Sequence, residues 1–122
     1  MKYSIWYMRP EWFGEGISGA RPDPKNLEAT HVHLKDIHEF AQTSPLEAIY
    51  RAMQGEVWSP RGEARGLIRS KGLEHTSMSV GDIIVPEDSG QVFIVASFGF
   101  EEVTAPRTVA EAFAARKSEP AR

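Results

Sequence analysis

The chain has no cysteine. That excludes disulfides, thiolate nucleophiles and cysteine-ligated zinc together. It also has no long apolar run, and no stretch approaches the ~20 residues needed to cross a bilayer. The opening segment, MKYSIWYMRPEWF, is too polar for a signal peptide and has no small-residue cleavage site. An excess of charge of one sign is missing as well. With a formal net charge of −3 over 122 residues, no global field draws the chain to nucleic acid or to an anionic membrane, so such binding needs a local patch. We expect a cytoplasmic, soluble protein with no membrane contact.

What is present suffices for a core. Hydrophobic residues make up 41% and charged residues 25% of the chain, a balance that argues against general disorder. We expect one α+β domain over residues 1–117 and a disordered tail over 118–122.

Lys2–Met8 (KYSIWYM) is aromatic and β-prone, with Tyr3, Ile5 and Tyr7 on one face and Ser4, Trp6 and Met8 on the other. Bulk on both faces predicts a well-buried strand that Pro10 ends. Gly14–Asn26 holds Pro22 and Pro24 and reads as a loop. Ala29–Ile37 alternates, with Val32 and Leu34 facing one way and His31, His33 and Lys35 the other, as a strand with one wet side does. Ser44–Gln54 predicts a helix. Ser44 is its cap, Pro45 its first residue and Glu47 the partner in a capping box. Leu46, Ile49, Tyr50 and Met53 form its buried stripe, and Gly55 is placed to stop it. A second helix is expected from about Pro60 to Lys71, capped by Ser59 and ended by Gly72, with Ala64, Leu67 and Ile68 inward. Met78–Val85 and Gln91–Phe98 predict a hairpin around Pro86–Gly90. Thr108–Lys117 predicts a last helix, with a Thr108/Glu111 capping box and with Val109 and Phe113 as anchors. The expected architecture is a small, mainly antiparallel sheet of about four strands with two to three helices packed on one face.

The chemistry-bearing patterns are weak. Gly14–Gly19 (GEGISG) matches G-x-G-x-x-G, but a dinucleotide site needs a helix to begin there, and Pro22 and Pro24 follow at once. His31 and His33 share a strand face at a spacing many metal sites use, with Asp36, His38 and His75 as further ligands; they define a small metal-dependent enzyme as one alternative. The surroundings such a pair needs are absent, and the bland reading is two solvent-facing or hydrogen-bonded histidines. His75, Thr76 and Ser77 adjoin, yet neighbouring strand residues face opposite ways and make no dyad. We therefore lean away from an enzyme and expect no metal and no cofactor.

Binding residues are easier to nominate. Arg61, Arg65 and Arg69 fall at i, i+4, i+8 on the second expected helix, a basic ridge for phosphates or an acidic surface, weighed against an ordinary solvated helix face. Trp12, Phe13 and Trp58 lie beside loops and are candidate contact aromatics, with core or edge packing as the plainer role. The loop Gly14–Asn26 and the turn Glu87–Gly90 are the expected contact regions. The oligomeric state is left open by the sequence; a strand such as Ala29–Ile37 or Gln91–Phe98, if at a sheet edge, offers a route to pairing as a homodimer.

Ser79-Val80-Gly81-Asp82-Ile83-Ile84-Val85, then Val95-Ala96-Ser97-Phe98-Gly99-Phe100-Glu101, resemble the end of YodL-like domains, over Leu73–Val103. The resemblance implies a small strand-rich module and a setting: accessory proteins of phages and conjugative elements. It assigns no activity to any residue. Small acidic proteins in that setting are often inhibitors of host defence, such as anti-restriction or anti-CRISPR factors, an analogy of context. The resulting expectation is a non-catalytic interaction protein of a mobile genetic element with a protein partner. A nucleic-acid-binding accessory protein using the arginine ridge is the alternative.

Overall fold

The computed structural model describes residues 1–38 and 43–117; the expected tail, 118–122, lies outside them. The order of elements is β1 (Lys2–Met8), α1 (Phe13–Ile17), β2 (His31–His38), α2 (Pro45–Ala52), α3 (Gly55–Trp58), α4 (Arg65–Ser70), β3 (Ile83–Pro86), β4 (Phe93–Val95), β5 (Phe100–Glu102) and α5 (Val109–Lys117). The strands form one open sheet in the order β2-β1-β3-β4-β5, and every pair is antiparallel. The fold is α+β, as the patterning implies, with one strand more than expected. No helix among the described residues is long and apolar enough to cross a membrane.

β1 sits inside the sheet because both its faces are apolar. Tyr3, Ile5 and Tyr7 meet Leu34, Ile49, Met53, Ile68, Leu73, Met78, Ile84 and Val95. α2 and α4 supply Ile49 and Ile68, and Met53 follows α2 as its C-cap, so helices cover this face. On the other face Ile83 and Ile94 pack with Leu27, Val92 and Val103, and Trp6 lies against them. Ile5, Ile49, Ile83, Ile84 and Ile94 are fully buried, each contributing roughly 1.5–3 kcal/mol.

β2 departs from strict alternation. Trp6 pairs with His33 but Ile5 with Lys35, so Leu34 is an extra residue and the strand bulges. Beyond the bulge the faces exchange. Lys35 therefore does not share a side with His31 and His33; its Nζ stands over the Trp58 ring, 5.1 Å from the centroid.

The helix signals meet mixed outcomes. Ser44 has left-handed backbone angles (φ 49°, ψ 53°) and its side chain caps nothing. A cap needs an extended residue to aim its oxygen at the helix, so the Ser44/Glu47 box does not form. Gly55 begins α3 instead of closing α2; its N–H donates to Ser77 Oγ at 2.7 Å. The second expected helix starts at Arg65, not Pro60. Gly62 at φ +80° breaks the path, and Ser59 Oγ accepts from the N–H of Ala64 at 2.8 Å, five residues on. Gly72 does end that helix: the N–H of Leu73 reaches the Ile68 carbonyl at 3.0 Å. At α5 the capping box forms reciprocally, Thr108 N–H to Glu111 Oε1 (2.9 Å) and Glu111 N–H to Thr108 Oγ1 (3.1 Å). Its buried anchor is Ala112, while Phe113 stands half exposed.

The C-terminal strands are shorter than their apolar runs. Residues 78–82 form a turn, not a strand, and β4 stops at Val95. Ala96 N–H bonds the Gly99 carbonyl at 2.9 Å, and the chain reverses into β5. Gln91–Phe98 is therefore no edge strand: β4 is interior, and the edges are β2 and β5.

Candidate functional site

Two polar constellations stand out. The first lies inside the fold. Asp82 is fully buried and accepts three hydrogen bonds: from Met8 N–H (2.8 Å), Ser79 N–H (2.8 Å) and His75 Nε2–H (2.9 Å). His75 stacks on Tyr7 with ring centroids 4.5 Å apart, and Phe13 meets its edge at 5.3 Å. Tyr7 donates its hydroxyl to the Thr76 carbonyl at 2.7 Å. Burial pushes the Tyr7 hydroxyl upward, and the Asp82 charge adds to it. Burial also pushes the Asp82 carboxyl above its usual range, opposed by His75 and the two amide donors.

His31 belongs to the same lock. It is fully buried, its Nε2–H donates to the Gly81 carbonyl at 2.8 Å, and Nδ1 accepts from Thr30 Oγ1 at 2.7 Å. Burial lowers its pKa to about 4, so it is neutral near pH 7. Gly81 stands at φ +99°, and a Cβ there would overlap Met8 Sδ. Gly16 also lies against Met8 and Trp12 with no room for a Cβ. Gly16 thus lets α1 pass closely over the end of β1, and the segment read as a loop carries a short helix.

An Asp–His pair is half of a catalytic base–nucleophile system. The other half is missing among the described residues. Ser77 Oγ accepts from Gly55 N–H, Ser79 Oγ donates to the Ser77 carbonyl, and neither bonds His75. His33 does share a sheet face with His31, but it is exposed and paired with Asp36 at 2.8 Å, while both nitrogens of His31 are already engaged. No group of three His, Asp or Glu among the described residues is placed to hold a metal ion.

The second constellation faces solvent. A cleft of about 440 Å³ runs between the Ala96–Gly99 turn, the end of α1 and the start of α5. Ile17, Val80, Ala96 and Ala112 line its apolar part; Arg21, Arg107, Ser97 and Glu101 its polar part. Arg21 and Arg107 are bridged backbone to backbone, N–H to carbonyl in both directions at 2.9 and 3.0 Å. Both guanidinium groups donate to the Gly19 carbonyl at 3.1 Å, and Arg21 also pairs with Glu101. Phe98 stands at the rim with 95% of its surface exposed. Beyond the turn, a second cleft of about 350 Å³ is lined by Glu47, Tyr50, Arg51 and Phe100.

The residues nominated from sequence do not gather here. Trp12 packs on His31 with centroids 5.0 Å apart. Phe13 covers His75, and Trp58 donates its indole N–H to the Thr76 carbonyl at 3.1 Å beneath Lys35. All three are half-buried packing residues. Arg61, Arg65 and Arg69 are exposed, but Arg61 lies in the 59–64 turn ahead of α4, so the three-residue ridge is reduced to Arg65 and Arg69. Arg21 and Arg107 escaped notice because 85 residues separate them in sequence. Phe98 read as the end of a strand; the only hint was its place between Ser97 and Gly99.

No family model matches the chain, and no curated protein or solved structure matches it.

Proposed function

We propose that this chain is a non-catalytic protein-binding domain whose contact surface is the Ala96–Gly99 turn with the clefts on either side. Phe98 carries the reading. A phenylalanine with 95% of its surface in water forgoes roughly 1.5–3 kcal/mol of burial, and it sits on a turn tied by a backbone hydrogen bond, ready to fill a partner's pocket. The interior Asp82–His75 pair has no nucleophile hydrogen-bonded to it among the described residues and ties Met8 to the 79–82 turn, which favours a structural role. The resemblance of residues 73–103 to YodL-like domains supplies the setting, an accessory protein of a mobile genetic element, and Phe98 lies within that stretch. In that setting the partner is a component of host defence, such as a restriction or CRISPR nuclease, blocked by occlusion.

A tagged pull-down from host lysate, treated with nuclease and compared with Phe98→Ser, tests this. The wild type retains a stoichiometric protein after nuclease and the variant loses it. Equal capture by the variant sinks the surface. Recovery that vanishes on nuclease treatment and on Arg65→Glu moves the function to nucleic acid. Phe98→Ser itself leaves stability within ~0.5 kcal/mol, as exposed substitutions do.

A further inference from the structure

We infer that the Arg21–Arg107 cleft seats a carboxylate presented by a partner protein, an acidic side chain beside an aliphatic or aromatic one. This rests on the proposed contact surface and names the chemistry that the surface recognises.

The cations are preorganised. The two-way backbone bridge fixes both arginines, and their guanidinium groups share the Gly19 carbonyl, which holds like charges side by side. Arg21 is a largely buried side chain, 10% exposed. Arg107 Nε is buried and has no hydrogen-bond partner among the described residues, a donor left unmet in a fold that satisfies nearly all others. Glu15, Asp23 and Glu111 line a neighbouring cleft that the two arginines also border, and Glu101 is the carboxylate that lines this one. Glu111 is held by Thr108 as the α5 cap. Glu101 pairs with Arg21 but its side chain is 54% exposed. It holds the place of the incoming carboxylate and is free to swing out.

The walls choose the rest of the ligand. Ile17, Val80, Ala96 and Ala112 line the cleft and Phe98 stands over it, so an apolar side chain fits beside the acid. A nucleic-acid backbone fits poorly. It needs a continuous basic track, whereas Glu101 stands within the cleft and Glu102 follows it on an exposed strand.

The test is a ¹⁵N NMR titration that observes the arginine Nε–H signals, with the blocked hexapeptide Gly-Leu-Glu-Phe-Gly-Gly as probe. Arg107 Nε–H and the Ser97 and Phe98 amides shift with this peptide, and a glutamine-for-glutamate peptide binds about tenfold more weakly. Glu101→Gln binds the glutamate peptide several-fold more tightly because the internal competitor is gone. Arg107→Gln abolishes the shifts while the Met8 and His31 signals stay in place. If that variant does not fold, Glu101→Gln still decides: unchanged or weaker binding overturns the inference. So do equal affinity for the two peptides, absence of shifts at Arg107, or arginine shifts produced only by single-stranded oligothymidylate. If Phe98→Ser abolishes capture from lysate while the glutamate peptide leaves Arg107 unmoved, the contact surface stands and the acidic ligand falls. If neither responds, both fall.

Discussion

At the scale of single residues, Gly81 and His31 carry the tightest constraints. Gly81 stands at φ +99° with Met8 Sδ where a Cβ would go. Gly81→Ala adds left-handed strain of about 1–3 kcal/mol to that overlap. We expect at least ~2 kcal/mol of lost stability in urea unfolding; a smaller loss would show that Met8 and α1 yield. His31, whose Nε2–H donates to the Gly81 carbonyl, sets an acid limit. Burial lowers its folded pKa to about 4 from the ordinary histidine value of 6.5, so the unfolded chain binds the proton more readily. The stabilisation is complete above pH 6.5, is lost as pH falls toward 4, and is flat below; a shift of this size corresponds to about 3 kcal/mol. His31→Gln is less stable than wild type at pH 8 but loses less on acidification from 7 to 4.5, measured as midpoint denaturant concentration. Asp82 acts with the opposite sign. Burial raises its folded pKa above 3.8, so the folded state holds that proton longer and stability from this group falls as pH rises through its folded pKa.

At the scale of elements, equal sequence signals meet unequal fates. Both Ser44-Pro-Leu-Glu47 and Thr108-Val-Ala-Glu111 spell a capping box. Only the second makes its two hydrogen bonds; Ser44 is left-handed and makes none. Thr108→Ala thus costs about 1 kcal/mol and frays α5, seen as faster amide exchange over residues 109–113. Ser44→Ala leaves α2 unchanged. Equal losses for the two would contradict the observed caps. The period-2 pattern of β1 is legible from residue types, since aromatic and branched residues alternate over seven positions. The bulge at Leu34 is not, because it depends on how β2 registers against β1.

Across the whole molecule, one carboxylate joins segments far apart in the chain. Asp82 ties Met8 at the end of β1, the 79–82 turn and His75 into one buried cluster. Asp82→Asn replaces an acceptor with a group that presents its own donors to those amides. The expected loss is about 2–4 kcal/mol, with chemical-shift changes at both Met8 and Ser79; an effect confined to the 79–82 turn would show the cluster to be local.

What the residues alone determined is the class of the fold: an α+β chain with an antiparallel sheet, β1 buried on both faces, Gly72 as a helix stop and the α5 capping box. These follow from periodicity and from contacts a few positions apart. Tertiary structure decided the rest. It turned Ser79–Asp82 from strand into a hydrogen-bonded turn and drew His31 into the interior. It also set Arg21 beside Arg107 under an exposed Phe98. Each of these depends on partners tens of residues away, and only closure of the sheet brings such partners within hydrogen-bonding distance.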